Sequence, residues 1–295
     1  MHEIVSHLWF DREAAEAARL YAEVFPDSRI TSESHLDGTP SGEVDLLSFE
    51  IAGSRFQAIS AGPYFKFTPA LSFLVACDSP EEVDRYWALL REGGSELMPL
   101  GAYPFSGHYA WIMDRFGLSW QLMAMGDMKA PQKITPTMMF TGSNCGRAEE
   151  AIRHYVSIFE DSSVGTIDRY GPGMAPNGPE LVKHAGFALG GRAFAAMDSA
   201  LDHGFTFNEA VSFMVFCDSQ VEIDRYWEAL SADPEAERCG WLKDKFGFSW
   251  QIVPTALGRL MGSADEPTKA RLTKSFLAMK KFDIAELERA ARPAL

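Results

Sequence analysis

Hydrophobic and polar positions follow two different periods along the chain. Alternation with a period of two over residues 46–51 and 55–60 predicts two strands, joined by a short turn that contains Gly53. Before them, apolar residues recur every three or four positions, which predicts an amphipathic helix. The residues with this helical spacing are Ala14, Ala17, Ala18, Tyr21 and Phe25.

The same order of elements then starts again. Residues 72–77 predict a buried strand, and the residues after it predict the beginning of a helix. Ser79 offers a capping hydroxyl, Pro80 suits the first helical position, and Glu82 lies three residues after the cap. A hairpin that ends within residues 111–124 completes this part. Each half of the chain is therefore predicted to contain the order β-α-β-β-β twice.

Two segments of the first half recur in the second half. Residues 72–87 match residues 212–227, at an offset of 212 − 72 = 140. Residues 114–121 match residues 244–251, at an offset of 244 − 114 = 130, so the first copy has ten additional residues between the two segments. A repeat that covers strands and helices alike indicates a tandem duplication of a whole domain.

The repeat sets the predicted domain boundaries. We predict a first domain at residues 1–127, a second at 134–254 and a helical tail at 255–295, because residues 126–133 are polar and contain glycine and proline. The two β-α-β-β-β groups of each domain are expected to face each other and enclose a concavity. The tail is expected to pack on its own domain, with partner binding as the alternative. Its apolar residues, which need cover, include Leu272, Phe276, Leu277 and Met279.

Charge and cysteine content narrow the range of partners. The formal charge is −14, which disfavours nucleic acid and anionic membranes, because both are bound by clustered Lys and Arg. The chain has no signal-peptide pattern and no apolar run long enough to span a bilayer, which predicts a cytoplasmic protein. Its four cysteines lack CxxC spacing and fit a reducing compartment.

Five sequence strings carry a family resemblance. They are residues 8–10 (LWF) before an Ala/Glu-rich helix, residues 25–30 (FPDSRI), 84–87 (DRYW) and 240–254 (GWLKDKFGFSWQIVP), and residues 279–284 (MKKFDI) in the tail. Together they resemble the PhnB-like branch of the vicinal-oxygen-chelate (glyoxalase/bleomycin-resistance) superfamily. The resemblance covers nearly the whole chain. It implies an α+β fold of the vicinal-oxygen-chelate type, with paired βαβββ modules and four modules in two tandem domains.

Members of this branch often carry the name 3-demethylubiquinone-9 3-methyltransferase. A Rossmann-type site for S-adenosylmethionine needs a glycine-rich loop between a strand and a helix, followed by an acidic residue. The sequence contains no such loop. We therefore expect the name not to describe the activity.

The resemblance also implies a divalent metal ion in each concavity, held by His, Glu or Gln from the first and last strands of the modules. Strand alternation places Gln121 and Gln251 on the concave side at two of these positions. The other matched positions hold aliphatic or hydroxyl side chains, among them Ser60, Ser72 and Ser212. Such side chains cannot neutralise a divalent ion. We expect no metal ligand set and no cofactor.

Two residues leave a metal site open as an alternative. His7 lies on the same strand face as the matched position Val5 and would restore one imidazole ligand. Asp198 would pair with Gln251 in the second copy. With a divalent metal at either place, the chain would be an enzyme of the glyoxalase, dioxygenase or epimerase type.

The predicted ligand-binding residues form two sets. The first concavity is expected to contain His7, Trp9, Ser60, Ser72 and Gln121. The second is expected to contain Met139, Asp198, Ser212 and Gln251. Because the sets differ in chemistry, the two sites are not expected to work equally. His108, within the ten additional residues, is either an acid–base group above the first concavity or part of a longer surface hairpin.

These features favour a metal-free protein that binds a small, partly aromatic molecule. The metal-dependent enzyme is the alternative. A third hypothesis is that one copy is purely structural, so that the two domains form an internal pseudo-dimer; a homodimer of the chain stays open as well.

Overall fold

Two mixed β-sheets and seven α-helices form an α+β fold in the computed structural model, which describes residues 3–292. Residues 1–2 and 293–295, the outermost parts of the predicted first domain and tail, lie outside the described residues. Four modules follow one another along the chain. The first is β1 (Ile4–Phe10), α1 (Ala14–Val24), β2 (Arg29–Thr39), β3 (Gly42–Ile51) and β4 (Ser54–Ser60). The second is β5 (Leu71–Cys77), α2 (Pro80–Leu90), β6 (Ser95–Tyr103), β7 (Ser106–Met113) and β8 (Ser119–Ala124).

The second repeat contains the third and fourth modules, followed by the tail. The third module is β9 (Ile134–Phe140), α3 (Ala148–Ile158), β10 (Ser163–Arg169), β11 (Val182–Leu189) and β12 (Arg192–Asp198). The fourth is β13 (Val211–Cys217), α4 (Gln220–Leu230), β14 (Trp241–Lys243) and β15 (Ser249–Pro254). The tail consists of α5 (Thr255–Ser263), α6 (Glu266–Leu277) and α7 (Ile284–Ala291). The fourth module thus has one strand fewer than predicted, because the second copy lacks the ten residues that lengthen the first.

Each sheet contains one module from each repeat. Sheet A has the strand order β14-β15-β13-β1-β4-β3-β2, and sheet B has the order β10-β11-β12-β9-β5-β8-β7-β6. Antiparallel pairs β1–β13 and β5–β9 join the modules at the centre of each sheet. The expectation that the two modules of one repeat share a concavity is therefore wrong: the first module pairs with the fourth, and the second with the third.

The modules of one repeat meet instead through their helix-covered faces. Tyr21 of α1 donates a hydrogen bond of 2.7 Å to Asp114, which follows β7 in the second module, and Trp120 of β8 donates to the same carboxylate at 2.9 Å. Tyr155 and Trp250 make equivalent bonds to Asp244 in the second repeat, at 2.6 and 2.8 Å. Each repeat therefore has a shared core, while each sheet belongs to both repeats.

The helix start predicted from capping residues at Ser79 is present, and the equivalent residue of the second repeat also caps a helix. Ser79 accepts a hydrogen bond from the Glu82 amide at the N-terminus of α2. Ser219 and Glu222 form a reciprocal capping box at the start of α4. These bonds satisfy backbone donors that a helix leaves free in its first turn.

The tail packs on the protein, as its apolar residues predict. The amides of Cys239 and Gly240 donate to the carbonyls of Met279 and Lys280, at 2.7 and 2.8 Å, next to edge strand β14. Helix α6 packs against β2, the opposite edge of sheet A. The tail therefore contacts both edges of sheet A, including a strand of the first module. Within residues 3–292, no helix combines the length and apolar character needed to cross a bilayer.

Candidate small-molecule site

The two faces of sheet A differ in composition. Leu8 and Phe10 of β1 belong to the hydrophobic core under the helices. His7 and Trp9 alternate with them and lie on the opposite face, which we call the open face because helices α1 and α4 pack on the other side. The open face of sheet B is defined in the same way.

A row of polar residues crosses five strands on the open face of sheet A. The strand register pairs Ser48 with Gln57, Gln57 with His7, His7 with Ser212, and Ser212 with Ser249. Residues directly opposite each other on adjacent strands lie close enough for their side chains to interact. Pairing of the first and fourth modules creates this row, since three of its members come from the first repeat and two from the second.

His7 is the central residue of the row. Its side chain is buried, with 5% exposure, and its Nδ1 atom has no hydrogen-bond partner. Burial lowers its pKa from 6.5 to about 3, because the charged imidazolium loses its hydration. The imidazole is therefore neutral near pH 7, with one nitrogen able to donate and the other able to accept.

Ser249 is the second member of the row with an unsatisfied polar atom. Its Oγ is buried and has no hydrogen-bond partner. Between the two, the amide of Gln251 donates to Ser212 Oγ at 2.9 Å. Buried polar groups in proteins are nearly always paired, so two unpaired atoms in one row indicate a place where a ligand or water binds.

Aromatic side chains enclose this polar row. The ring of Trp241 meets the His7 ring edge-on at 5.4 Å and the Trp9 ring at 6.2 Å. Trp9 also contacts Phe65 at 5.1 Å and Tyr64 at 6.3 Å, both in the connection from β4 to β5. Tyr64 is 64% exposed, so the aromatic group reaches from the buried imidazole to the surface.

The site is enclosed rather than an open cleft. His7 is 5% exposed, Gln251 6% and Ser249 1%, so the polar row lies beneath other side chains. Of the aromatic rings around the row, the ring of Tyr64 is the most exposed.

On the open face of sheet B the corresponding polar groups bind one another. Tyr109 donates to Gln121 Oε1 and Gln121 Nε2 donates to Ser72 Oγ, both at 2.7 Å. Trp111 Nε1 donates to Ser119 Oγ at 2.7 Å, whereas Ser249, the residue equivalent to Ser119, has no partner. Sheet B therefore satisfies its own polar groups, and sheet A does not.

The predicted grouping of ligand-binding residues is corrected by the module pairing. His7 and Trp9 share sheet A with Ser212 and Gln251, from the other predicted set. Ser72 and Gln121 lie in sheet B, where Ser72 pairs with Thr137. Thr137 is the repeat equivalent of His7, two residues before Met139. Each open face thus contains members of both predicted sets.

Two predicted residues lie on the wrong face for a concavity. Ser60 Oγ accepts a hydrogen bond of 3.2 Å from the amide of Ala14, the first residue of α1, and so satisfies one of the free backbone donors at the start of that helix. Asp198 accepts bonds from the amides of Gly146 and Ala148 near the start of α3, at 2.8 and 3.2 Å. A further bond reaches Asp198 from the Val182 amide at 3.0 Å. Placing Ser60 and Asp198 on the concave side was wrong, because they share a strand face with the core residues Phe56 and Phe194.

Sequence reasoning missed two important members of the site, Trp241 and Ser249. Ser249 is detectable by alternation, since it lies on the same face of β15 as Gln251. Trp241 belongs to a three-residue strand, too short for a periodic signal. His108 binds Asp84 of α2 through Nε2 at 2.6 Å, on the hairpin β6–β7, so the surface-hairpin interpretation holds and His108 does not lie over a concavity.

The donor set of the polar row does not fit a divalent metal ion. It offers one imidazole, two amides and hydroxyl groups, and the nearest predicted carboxylate, Asp198, is in the other sheet and bound to backbone amides. Divalent ions require anionic or several imidazole ligands to offset their charge. Among residues 3–292, a convergent group of three metal-ligating side chains occurs at His35, Asp37 and Glu43, on the exposed hairpin β2–β3.

Comparison with known proteins identifies relatives of each repeat. The family profile described as 3-demethylubiquinone-9 3-methyltransferase matches residues 2–123 and again residues 132–253. A solved PhnB protein from Bacillus cereus with the same description is 36% identical; the match covers 41% of this chain and 97% of that one, with a TM-score of 0.38. That chain therefore corresponds in length to one repeat.

A second solved structure matches most of the chain. Glyoxalase I from Zea mays is 12% identical, covers 88% of this chain and 96% of its own, and has a TM-score of 0.53. This likeness concerns the fold alone. None of the curated proteins matches the chain.

Proposed function

Since the chain belongs to the 3-demethylubiquinone-9 3-methyltransferase family, as a tandem PhnB-like member of the vicinal-oxygen-chelate superfamily, we propose that it binds a small, partly aromatic molecule without a metal ion. The site is the open face of sheet A. The observation that carries the proposal is the buried, neutral His7, whose Nδ1 lacks a partner beside the rings of Trp9 and Trp241.

This environment suits an aromatic ligand with a polar group. Trp rings offer faces and edges for aromatic contacts, each contributing about 1 kcal/mol beyond burial. A hydrogen bond to His7 would satisfy an atom that otherwise costs free energy in the folded protein. Gln57, Ser212 and Gln251 add further donors and acceptors along the row.

We propose one ligand per chain. On sheet B, Gln121, Ser72 and Tyr109 satisfy one another, so a ligand there would have to break existing hydrogen bonds. Sheet B then serves as the structural half of an internal pseudo-dimer. We further propose a cytoplasmic location and no nucleic-acid or membrane partner, in keeping with the charge of −14 and the absence of paired cysteines among those described.

Neither methyl transfer nor metal catalysis finds support in the site. Both sheets are mixed, with antiparallel strand pairs at their centres, and differ from the parallel sheet of Rossmann-type S-adenosylmethionine sites. The metal-dependent enzyme would need a carboxylate or a second imidazole in the row with His7 and Gln251. The described residues of the row contain neither.

Isothermal titration calorimetry of the full chain with 2-naphthol, in the presence of a chelator, tests the proposal. We expect one site per chain, and binding weakened at least about tenfold by His7→Thr, which installs the residue found at the equivalent position of the other repeat. The matched control Ser72→Ala in sheet B should leave binding unchanged. Absence of binding by 2-naphthol, or a stoichiometric Zn, Ni, Mn or Fe content that Gln251→Ala abolishes, would contradict the proposal.

A further inference from the structure

We infer that the ligand of sheet A is an uncharged, planar molecule with a hydroxyl or amide group at each of two opposite ends, one for His7 and one for Ser249. This inference rests on the proposed function and adds the chemical class of the ligand. It depends on three features of the open face: the spacing of the two unpaired atoms, their hydrogen-bonding character, and the charges around them.

The spacing follows from the strand register. His7 of β1 lies opposite Ser212 of β13, and Ser212 lies opposite Ser249 of β15. Adjacent strands are about 4.8 Å apart, so the two residues stand about 10 Å apart across the sheet. Both side chains point to the same face, and Trp241 packs beside the row. A ligand of two fused rings has the length to reach both residues.

The two unpaired atoms can form hydrogen bonds with the same kinds of ligand group. The neutral imidazole of His7 presents either an N–H group or a lone pair at Nδ1, depending on its tautomer. The hydroxyl of Ser249 also donates and accepts. A hydroxyl or amide group on the ligand can bind either atom in either role, whereas a methyl group or a bare ring edge leaves both unsatisfied.

The charges around the row disfavour an anionic ligand. Lys243 lies opposite Ser249 in the register and pairs with Glu209 at 2.8 Å. Arg55 of β4 pairs with Glu3, and the guanidinium of Arg192 binds the Ile4 carbonyl and Ser6 Oγ. A carboxylate buried between His7 and Ser249 would therefore find these cations already engaged, and burying an unpaired charge is costly.

The contrast with sheet B supports the same assignment. Trp111 donates to Ser119 and thereby fills the position that is open at Ser249. In sheet A the equivalent Trp241 contacts His7 and Trp9 instead, with no hydrogen bond to Ser249. The two repeats have therefore diverged at both positions with an unpaired atom, with His7 in place of Thr137 at one and an unpaired serine at the other.

Three probes of equal ring size test the inference on the full chain by isothermal titration calorimetry near pH 7. They are naphthalene-2,6-diol, 2-naphthol and 6-hydroxy-2-naphthoate. We expect the diol to bind about tenfold more tightly than 2-naphthol, and the naphthoate to bind more weakly than either. Ser249→Ala should reduce the preference for the diol over 2-naphthol to near one.

Ser119→Ala on sheet B is the matched control and should preserve the preference for the diol. Thermal unfolding of each variant without probe reports whether the variant is folded. If the three probes bind equally, if the naphthoate binds best, or if folded Ser249→Ala retains the full preference, the inferred ligand class is wrong while the site stands. If none of the probes binds, the proposed function itself fails.

Discussion

His7 shows how one buried side chain can keep a site ready for a neutral ligand. Its neighbours on both strands are uncharged, since Gln57 lies opposite it on β4 and Ser212 on β13. Without a carboxylate to stabilise the imidazolium, burial dominates and holds the pKa of His7 near 3. The burial that leaves Nδ1 without a partner therefore also keeps the imidazole of His7 uncharged.

This pKa gives a pH dependence of stability with a defined sign. The pKa of His7 is depressed in the folded state, so between pH 6.5 and about 3 the unfolded chain takes up a proton that the folded chain does not. The contribution of His7 to the free energy of unfolding should fall as the pH falls, by up to about 1.4 kcal/mol per unit. Urea unfolding at several pH values should show a shallower acid slope for His7→Thr than for the unaltered protein; parallel slopes would refute the assignment.

At the scale of elements, the tail substitutes for a missing strand. In the first repeat β6 pairs with β7, whereas the second repeat has only the short β14, and the backbone of Met279 and Lys280 binds the residues just before it. Gln220, at the start of α4, fixes the tail from the other side through the Phe282 carbonyl and the Ile284 amide. The tail thereby supports the strand that contains Trp241.

Gly240 is the position where this junction is most sensitive. Its φ is +82°, and a Cβ atom there would lie 2.4 Å from Phe282 Cε2 and 3.0 Å from the Ile252 carbonyl. Gly247 has a similar φ of +77° with open space around it. Ala at either position costs about 1 kcal/mol in backbone strain, but Gly240→Ala must also displace the buried Phe282.

We therefore expect Gly240→Ala to lower the free energy of unfolding by at least about 2 kcal/mol more than Gly247→Ala, with faster proteolysis of the tail. Urea unfolding and limited trypsin digestion of the two variants provide the measurement. Equal destabilisation and equal digestion would show that the tail does not depend on this contact.

For the whole molecule, the decisive property is that each sheet pairs a module of one repeat with a module of the other. We call this arrangement the exchange of modules. The sequence predicted the order of strands and helices in the first three modules, the cap at Ser79 and the duplication. It could not predict which module pairs with which, because β5 and β13 present nearly the same residues to β1: residues 72–73 and 212–213 are both Ser-Phe. Two equivalent partners for one strand leave the pairing to the three-dimensional packing of the repeats.

The candidate site was predictable only in part for the same reason. His7, Trp9 and the two glutamines follow from strand alternation within one module, and all four lie on open faces. Ser60 and Asp198 share a strand face with the core residues Phe56 and Phe194 and therefore lie on the helix-covered side. Gln57, one residue before Ala58, is the open-face residue of β4. Trp241 and Ser249 reach His7 only through the exchange of modules.

Engineered cysteines test the exchange directly. Val5 of β1 lies opposite Met214 of β13, at a separation within the range of a disulfide, and Leu74 is the repeat equivalent of Met214. We expect Val5→Cys with Met214→Cys to form an intramolecular disulfide, detected by mass spectrometry, and Val5→Cys with Leu74→Cys to form none. Cross-linking of the second pair alone would mean that modules of one repeat share a sheet.

The proposed site depends on His7 as a neutral, buried group whose Nδ1 is available to a ligand. Two-bond ¹H–¹⁵N NMR of protein labelled in its seven histidines, with His7→Thr for assignment, measures this directly. We expect a neutral His7 at all pH values well above 3, and a shift of its Nδ1 resonance when naphthalene-2,6-diol is added. Titration of His7 near 6.5, or an Nδ1 resonance that stays unchanged with saturating diol, would show that His7 is not the neutral ligand-binding group of the site.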